Sequence, residues 1–291
     1  MQTFSYHEKP SSKIPVWAKT VRKTLSLMKA GVRCNDPEKK ERIKKRLISL
    51  RLNSNMKNYP EWFSNHPQSR LAVYTVLFGD YDTVKPVKYK SPKCDYYIIT
   101  DQPVDDGLGW TKIEREIPVE LRNASNAIKN RYFKMHPDVL FPDYEYSLYL
   151  DTTMIPCHDL FPLLGRMGDG FIGMYLHNSR DCIYDEAATV ARIGKISDDE
   201  AKRLSDFYKR EGFPEHFGLT CGGIILRRHH SEECRRLMQK WWEMYLNGPK
   251  RDQLSLMYCL WEMNYSLNDV ACLGVDYEIE ARFSSQSHKQ S

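Results

Sequence analysis

Between residues 71 and 262 the chain alternates short apolar, β-rich runs with helix-length amphipathic segments, and three of the runs stop on an acid. "LAVYTVLFGDYD" (71–82) leads into Gly79-Asp80, "CDYYIITD" (94–101) ends in Asp101 and "YSLYLD" (146–151) ends in Asp151. Runs that are apolar at successive positions, instead of at every second one, suit strands buried on both faces, the pattern of a parallel sheet covered by helices. The interior of such a strand offers no partner for a bare carboxylate, so each acid is expected at the strand's carboxyl end, where open α/β sheets keep their ligand crevice. Taken singly, an Asp that caps the following loop explains any one of them as well.

Two more strands are expected at 170–177, "GFIGMYLH", and at 218–229, "GLTCGGIILRRH", the latter entered through Gly222-Gly223. Helices are expected at 121–136, broken by Pro137, at 185–211, and in the segments "SEECRRLMQKWWEMYLN" and "RDQLSLMYCLWEM". The fold class is therefore α/β, a mostly parallel sheet flanked by helices. Neither G-x-G-x-x-G after the first strand nor G-x-x-x-x-G-K-[ST] occurs, which disfavours dinucleotide and P-loop chemistry.

Charge divides the chain. Residues 1–70 hold 16 Lys and Arg against 5 Asp and Glu, a net of +11, whereas residues 71–291 carry −6. Two helices account for the basic part: one over 12–31 with Trp17, Val21, Leu25 and Met28 on one face, and one opened by Asp36 as N-cap and Pro37, with Ile43, Leu47 and Leu50 turned inward. Residues 1–70 thus read as a basic helical N-terminal arm, either docked on the body or laid on an anionic membrane surface, and residues 71–291 as the α/β domain. No nucleic-acid motif accompanies the charge. The eight cysteines show no C-x-x-C pair and read as reduced, buried thiols. With no secretion signal and no 18-residue apolar run, the expected location is the cytoplasm, peripheral on the inner face of a membrane if the arm binds one.

The ordered segments "YTVLFGDYD", "YYIITD", "NRYFKMHP", "YSLYLD", "HNSRDCIYDEA", "GLTCGGIILRRH" and "RDQLSLMYCLWE" resemble the glycosyltransferase-like domain of the turgor-regulation and mucilage-related protein family, also found in bacterial polysaccharide loci. The resemblance runs from residue 71 to about 262. It implies a GT-A type, Rossmann-like nucleotide-sugar fold in which an Asp-x-Asp-like turn holds a divalent cation on the sugar diphosphate. The implied activity is transfer of a hexose-like sugar from a nucleotide-diphosphate sugar to a glycan or lipid-linked acceptor in surface polysaccharide synthesis.

A departing sugar diphosphate carries concentrated negative charge, so the site has to supply positive charge from a metal or from Arg and Lys. Mn²⁺ or Mg²⁺ would sit on Asp151, but Asp151-Thr152-Thr153 carries a hydroxyl where the pattern has its second carboxylate, leaving Thr153 and a distant His288 as further ligands. Arg131 and Lys134, three apart on one helix, are the side-chain alternative, or else a solvated face. Gly79, Asp80, Asp101, Gly222 and Gly223 would line the donor crevice. His177, Arg180, Asp181 and Glu186 gather within ten residues, with His177 and Arg180 toward the donor and an acid near the acceptor, or else as an ordinary helix start. Asp252 either points at the transferred sugar or caps its helix. Two rivals stay open: a lipid amide hydrolase of the ceramidase kind, which would need several His around one metal-bound water, and a non-catalytic nucleotide- or glycan-binding module.

Overall fold

The computed structural model describes residues 58–287 without interruption and, before them, residues 16–32 together with Cys34, Asp36, Pro37, Lys39, Lys40, Ile43, Lys44 and Leu47. The strands are Leu71–Leu77 (β1), Cys94–Thr100 (β2), Thr111–Lys112 (β3), Tyr146–Leu150 (β4), Met154–Pro156 (β5), Ile172–Leu176 (β6), Thr220–Arg228 (β7), Ala271–Val275 (β8) and Phe283–Ser285 (β9). Seven form one sheet in the order β3-β2-β1-β4-β7-β6-β8, and β5 pairs with β9 in a separate ribbon. Six of the seven run the same way; β7 alone is antiparallel to both of its neighbours. The carboxyl ends of β1, β2, β4, β6 and β8 therefore share one edge with the amino end of β7.

The helices are Val16–Val32 (α1), Glu61–Asn65 (α2), Asn126–Met135 (α3), Pro137–Leu140 (α4), Leu163–Met167 (α5), Ile183–Arg192 (α6), Asp198–Arg210 (α7), Glu232–Asn247 (α8) and Leu256–Glu262 (α9). Every residue of β1 and of β4 is buried, as continuous apolar runs predict. Alternate residues of β1 feed two cores. Ala72, Tyr74 and Val76 pack with Phe133, Leu237 and Trp241 on the face covered by α3 and α6–α9, and Leu71 and Val73 pack with Trp62, Leu163 and Leu164 on the other.

Several boundaries differ from the sequence reading, each for a local reason. The helix expected from residue 121 begins at Asn126, because the Ser125 hydroxyl accepts from the Ile128 amide and sets the cap there. Pro137 does end α3, since a residue before proline is driven out of the helical region, but it also opens α4 at its first position. The single helix expected over 185–211 is two: Gly194 turns with φ 71°, and Ser197 with Glu200 forms a capping box that starts α7. Residues 59–70, assigned to the arm, belong to the body. The Tyr59 amide donates to Gly165 O at 2.7 Å, and Trp62 lies 2% exposed in the second core. Further up the arm, Asp36 does cap: its Oδ1 accepts from the Lys39 amide at 3.2 Å.

One buried knot joins sheet and helix beneath the shared edge. A helix leaves its last carbonyls without internal partners. Those of Phe133 and Lys134 are met by the Tyr74 hydroxyl at 3.2 and 3.1 Å, and the Lys134 carbonyl also by Arg227 Nη1 at 2.7 Å. Arg227 Nη2 in turn donates to the Tyr74 oxygen at 2.5 Å. Tyr74→Phe removes only that oxygen and leaves a buried guanidinium donor unmet, so it should lower stability by about 1–3 kcal/mol. Urea unfolding should show the drop as a lower midpoint with an unchanged slope.

Candidate active site

Asp151 follows β4 directly and lies between two anchors. Its amide donates to Gly223 O at 2.8 Å, continuing the β4–β7 ladder by one residue, and its carbonyl accepts from the Met154 amide at 2.8 Å. Tyr149, which shares its face of the strand, donates its hydroxyl to Asp151 Oδ1 at 2.8 Å. The Tyr149 phenol is fully enclosed, and burial and then the Asp151 charge push its pKa well above the ordinary value, so it remains a donor. Asp151 keeps 39% of its side chain exposed. The paired glycines of β7 preserve that opening: a Cβ on Gly223 would sit 3.2 Å from Asp151 Oδ2 and 3.4 Å from the Tyr277 hydroxyl, and one on Gly222 would sit 3.5 Å from Lys134 Nζ.

Behind Asp151 lies a buried ion cluster. Lys134 Nζ is 2.6 Å from Asp252 Oδ2 and 3.8 Å from Asp151 Oδ1, and Arg131 Nε is 3.0 Å from the same Asp252 oxygen. Lys134 is 2% exposed, and its ammonium also lies 4.8 Å from the centre of the Tyr149 ring. Burial alone would raise the Asp252 pKa, but Lys134 and then Arg131 outweigh it and hold the carboxyl far below the usual carboxylate range. Burial likewise opposes the Arg131 charge, and the neighbouring Asp252 carboxylate above all restores it, leaving the pKa raised. Asp252 is accordingly not a helix cap: it opens a short 3-10 turn, Asp252–Leu254, and its carbonyl accepts from Trp241 Nε1 at 2.9 Å. Arg131 and Lys134 do not stand free as anion ligands either; their charge is committed first to Asp252.

The loops after β1, β2 and β4 are tied into one unit. Asp101 accepts from the Gly79 amide at 2.9 and 3.1 Å, and Gln102 donates to the carbonyls of Gly79 and Asp82. Gly79 turns with φ 77°, and a Cβ there would run into Asn126 at 2.3 Å. Asp82 is 1% exposed and accepts from Lys85 Nζ at 2.7 Å and from Thr152 Oγ1 at 3.1 Å, which pins the residue beside Asp151. Asp80 is exposed. Farther along the edge, His177 follows β6. Its Nδ1 accepts from the Arg180 amide at 3.1 Å and its Nε2 lies 3.9 Å from Glu186, which Arg180 holds at 2.5 Å. Burial, and then Arg180 against the opposing pull of Glu186, lower the His177 pKa, so the ring is neutral near pH 7. Asp181 is not part of this group; it pairs at the surface with His216 at 2.9 Å.

Sequence reasoning missed Tyr149, Asp82, Tyr277 and Gln253. Gln253 clamps β7 to the α8–α9 turn by accepting from the Gly222 amide at 3.0 Å and donating to Thr220 O. It stands inside the "R-D-Q" segment, so the signal was present. His288 lies outside the described residues; two residues before it, the Gln286 amide donates to Thr153 O at 3.0 Å. One concavity of about 710 Å³, lined by Trp62, Arg166, Asp169 and Ala271 among others, includes neither Asp151 nor Asp252.

Asp252→Asn leaves Lys134 and Arg131 buried without their counter-charge and should destabilise the fold by about 3–5 kcal/mol at pH 7. The sign of the pH effect follows from the depressed pKa. Stability from the ionised Asp252 is fully present above the unfolded carboxyl pKa of about 4 and is lost as pH falls toward the folded value. The stability difference between the two proteins should therefore shrink below about pH 4, which denaturant midpoints across pH will measure.

Comparison with known proteins joins this geometry to a lineage. No curated protein sequence matches the chain. Among solved structures it is similar to the apo form of WbbM, a bifunctional glycosyltransferase, at 12% identity and a TM-score of 0.45 over 72% of this chain and 38% of that one. It is also similar to the glycosyltransferase GlyE of Streptococcus pneumoniae TIGR4, at 16% identity and a TM-score of 0.39 over 68% of this chain and 44% of that one. The chain thus spans less than half the length of either protein. The model of the family described as TOD1/MUCI70, glycosyltransferase-like domain, matches residues 120–287. That interval is more than half of the chain and takes in Arg131, Lys134, Asp151, Gly222, Gly223 and Asp252, so the chain belongs to the TOD1/MUCI70 glycosyltransferase-like domain family.

Proposed function

We propose that the protein is a glycosyltransferase that moves a hexose-like sugar from a nucleotide-diphosphate sugar to the hydroxyl of a glycan or lipid-linked acceptor, in surface polysaccharide synthesis. The observation that carries this reading is the half-open Asp151 carboxylate at the carboxyl edge of β4, with its approach kept clear by Gly223. Transfer breaks the bond between the anomeric carbon and the diphosphate oxygen, which departs with the electron pair, and forms a bond to the acceptor oxygen as its proton leaves. The site must therefore accept negative charge where the diphosphate separates.

The charge count of the cluster bears on how. Asp151 and Asp252 face Lys134 and Arg131, two negative against two positive, so the diphosphate meets a set that is already balanced. The residues present fit Mg²⁺ or Mn²⁺ in the manner in which one carboxylate shares the ion with substrate phosphates: Asp151 Oδ1 is oriented by Tyr149 while Oδ2 looks toward the glycine cradle. Thr153 would add a neutral oxygen, and His288 is the remaining candidate ligand. When bound, the ion would supply positive charge to the departing diphosphate. Tyr149 orients Asp151; Lys134 and Arg131 fix Asp252 at the floor. Partly buried and neutral, His177 holds the turn after β6 with Arg180 and Glu186. The donor crevice would extend over Gly79, Asp80 and Asp101. Among the described residues no three His, Cys, Asp or Glu side chains converge as a metal site, which is what the amide hydrolase reading requires.

Asp151→Ala should lower transfer at least about 100-fold while circular dichroism stays near that of the parent, the lost acceptor of the Tyr149 hydroxyl costing about 1–3 kcal/mol of stability. Near-normal turnover of a labelled nucleotide sugar by that variant would remove Asp151 from the site, and a parent protein that binds nucleoside diphosphates without turnover would point to a binding module. Thr153→Asp should tighten Mn²⁺, since a second carboxylate adds charge at the ion. Calorimetry that detects no Mn²⁺ on either form would overturn the assignment of a cation to Asp151.

A further inference from the structure

Helix α1 carries its apolar side outward. Val21, Leu25, Met28 and Val32 are 48, 53, 52 and 86% exposed, and their spacing of four, three and four residues places them on one ridge. Among the described side chains of the same helix, the partly buried positions are Thr24, Leu27 and Gly31, which form the neighbouring ridge. A Cβ on Gly31 would meet Ile43 Cγ2 at 3.3 Å, so that second ridge is the side on which the arm folds back. The helix thus hides its smaller and more polar edge and displays its larger apolar one, the reverse of a helix whose task is to stabilise its own domain. Beside the exposed ridge stands the exposed Lys29. The helix contains four basic residues and no acid, within a segment 1–70 of net charge +11.

We propose that this ridge is a membrane-docking surface that lays α1 on an anionic lipid bilayer. Charge decides the occupant. A second copy of the chain seated on the ridge would set like cations against each other across a two-fold interface, whereas anionic headgroups neutralise them as the acyl boundary takes the apolar side chains. No helix among the described residues is long and apolar enough to cross a membrane, so the attachment is lateral and reversible.

Co-sedimentation of the full chain with vesicles tests this. Phosphatidylcholine vesicles rich in phosphatidylserine should retain the protein at low salt and release it at high salt, and vesicles of phosphatidylcholine alone should retain little. Leu25→Asp with Met28→Asp should abolish retention. Arg22→Gln with Lys29→Gln should weaken it by about fivefold for each cation removed, and that variant carries the test if the apolar pair fails to fold. Ile193→Asp, a matched change at an exposed apolar residue of the body, should bind as the parent does. Retention of the Leu25→Asp, Met28→Asp variant at the parent level, equal binding to neutral vesicles, or a ridge-dependent dimer that ignores vesicles would each overturn the proposal.

Discussion

A sheet buried on both faces can place charge only at its ends, and most of this molecule's polar organisation follows from that. β1 and β4 are enclosed along their whole length, so their flanking acids stand at the edge by necessity. The reversal of β7 gives the edge its particular form. Because β7 runs against its neighbours, its amino end lies among the carboxyl ends of β4 and β6. Two glycines there cost the strand packing and some backbone entropy. In return they leave room beside Asp151 on one side and above Lys134 on the other.

The ion cluster sets the second level. Lys134 is drawn out of water almost completely, which is tolerable only with a close anion and a hydrogen-bonded setting. Asp252 supplies the anion, while Arg227 and Tyr74 hold the backbone of the α3 terminus from which Lys134 projects. Three parts of the chain far apart in sequence thus fix one ammonium group. Displacement of any of them shifts the charge facing Asp151, which lies 3.8 Å away. Fold stability and site geometry depend on the same contacts.

That coupling also explains what the sequence disclosed and what it withheld. Continuous apolar runs announced β1, β2, β4, β6 and β7, and the parallel arrangement followed from the helices between them. The strands β3, β5 and β9, of two or three residues, offer no periodicity long enough to read, and β8, as long as β4 but broken by Gly274, went unread. The Ser197-to-Glu200 capping box was visible in the letters, yet the charge run around it hid the break at Gly194. Asp151 could be found because its strand ends abruptly. The role of Asp252 could not, since its partner Lys134 lies 118 residues away and no local spacing relates them. Tyr149 was counted as one more apolar strand residue, although its hydroxyl orients the acid two positions on.

The acids at and near this edge are not equivalent, and the difference lies in what each is already bound to. Asp252 and Glu186 are sealed against cations, at 5% and 4% exposure. Asp101 is spent on the Gly79 amide, Asp82 on Lys85 and Thr152, and Asp181 on a surface histidine. A carboxylate so engaged would have to give up a charged or backbone partner before taking a ligand, a loss of about 1–3 kcal/mol for each hydrogen bond to a charged group. Asp151 is different. One oxygen is oriented by a neutral phenol, the ammonium of Lys134 stands at 3.8 Å, beyond hydrogen-bond length, and the other oxygen faces the space left by Gly223. It is held firmly enough to keep its direction and loosely enough to bind, which is the combination that the proposed cation-holding role asks of a carboxylate.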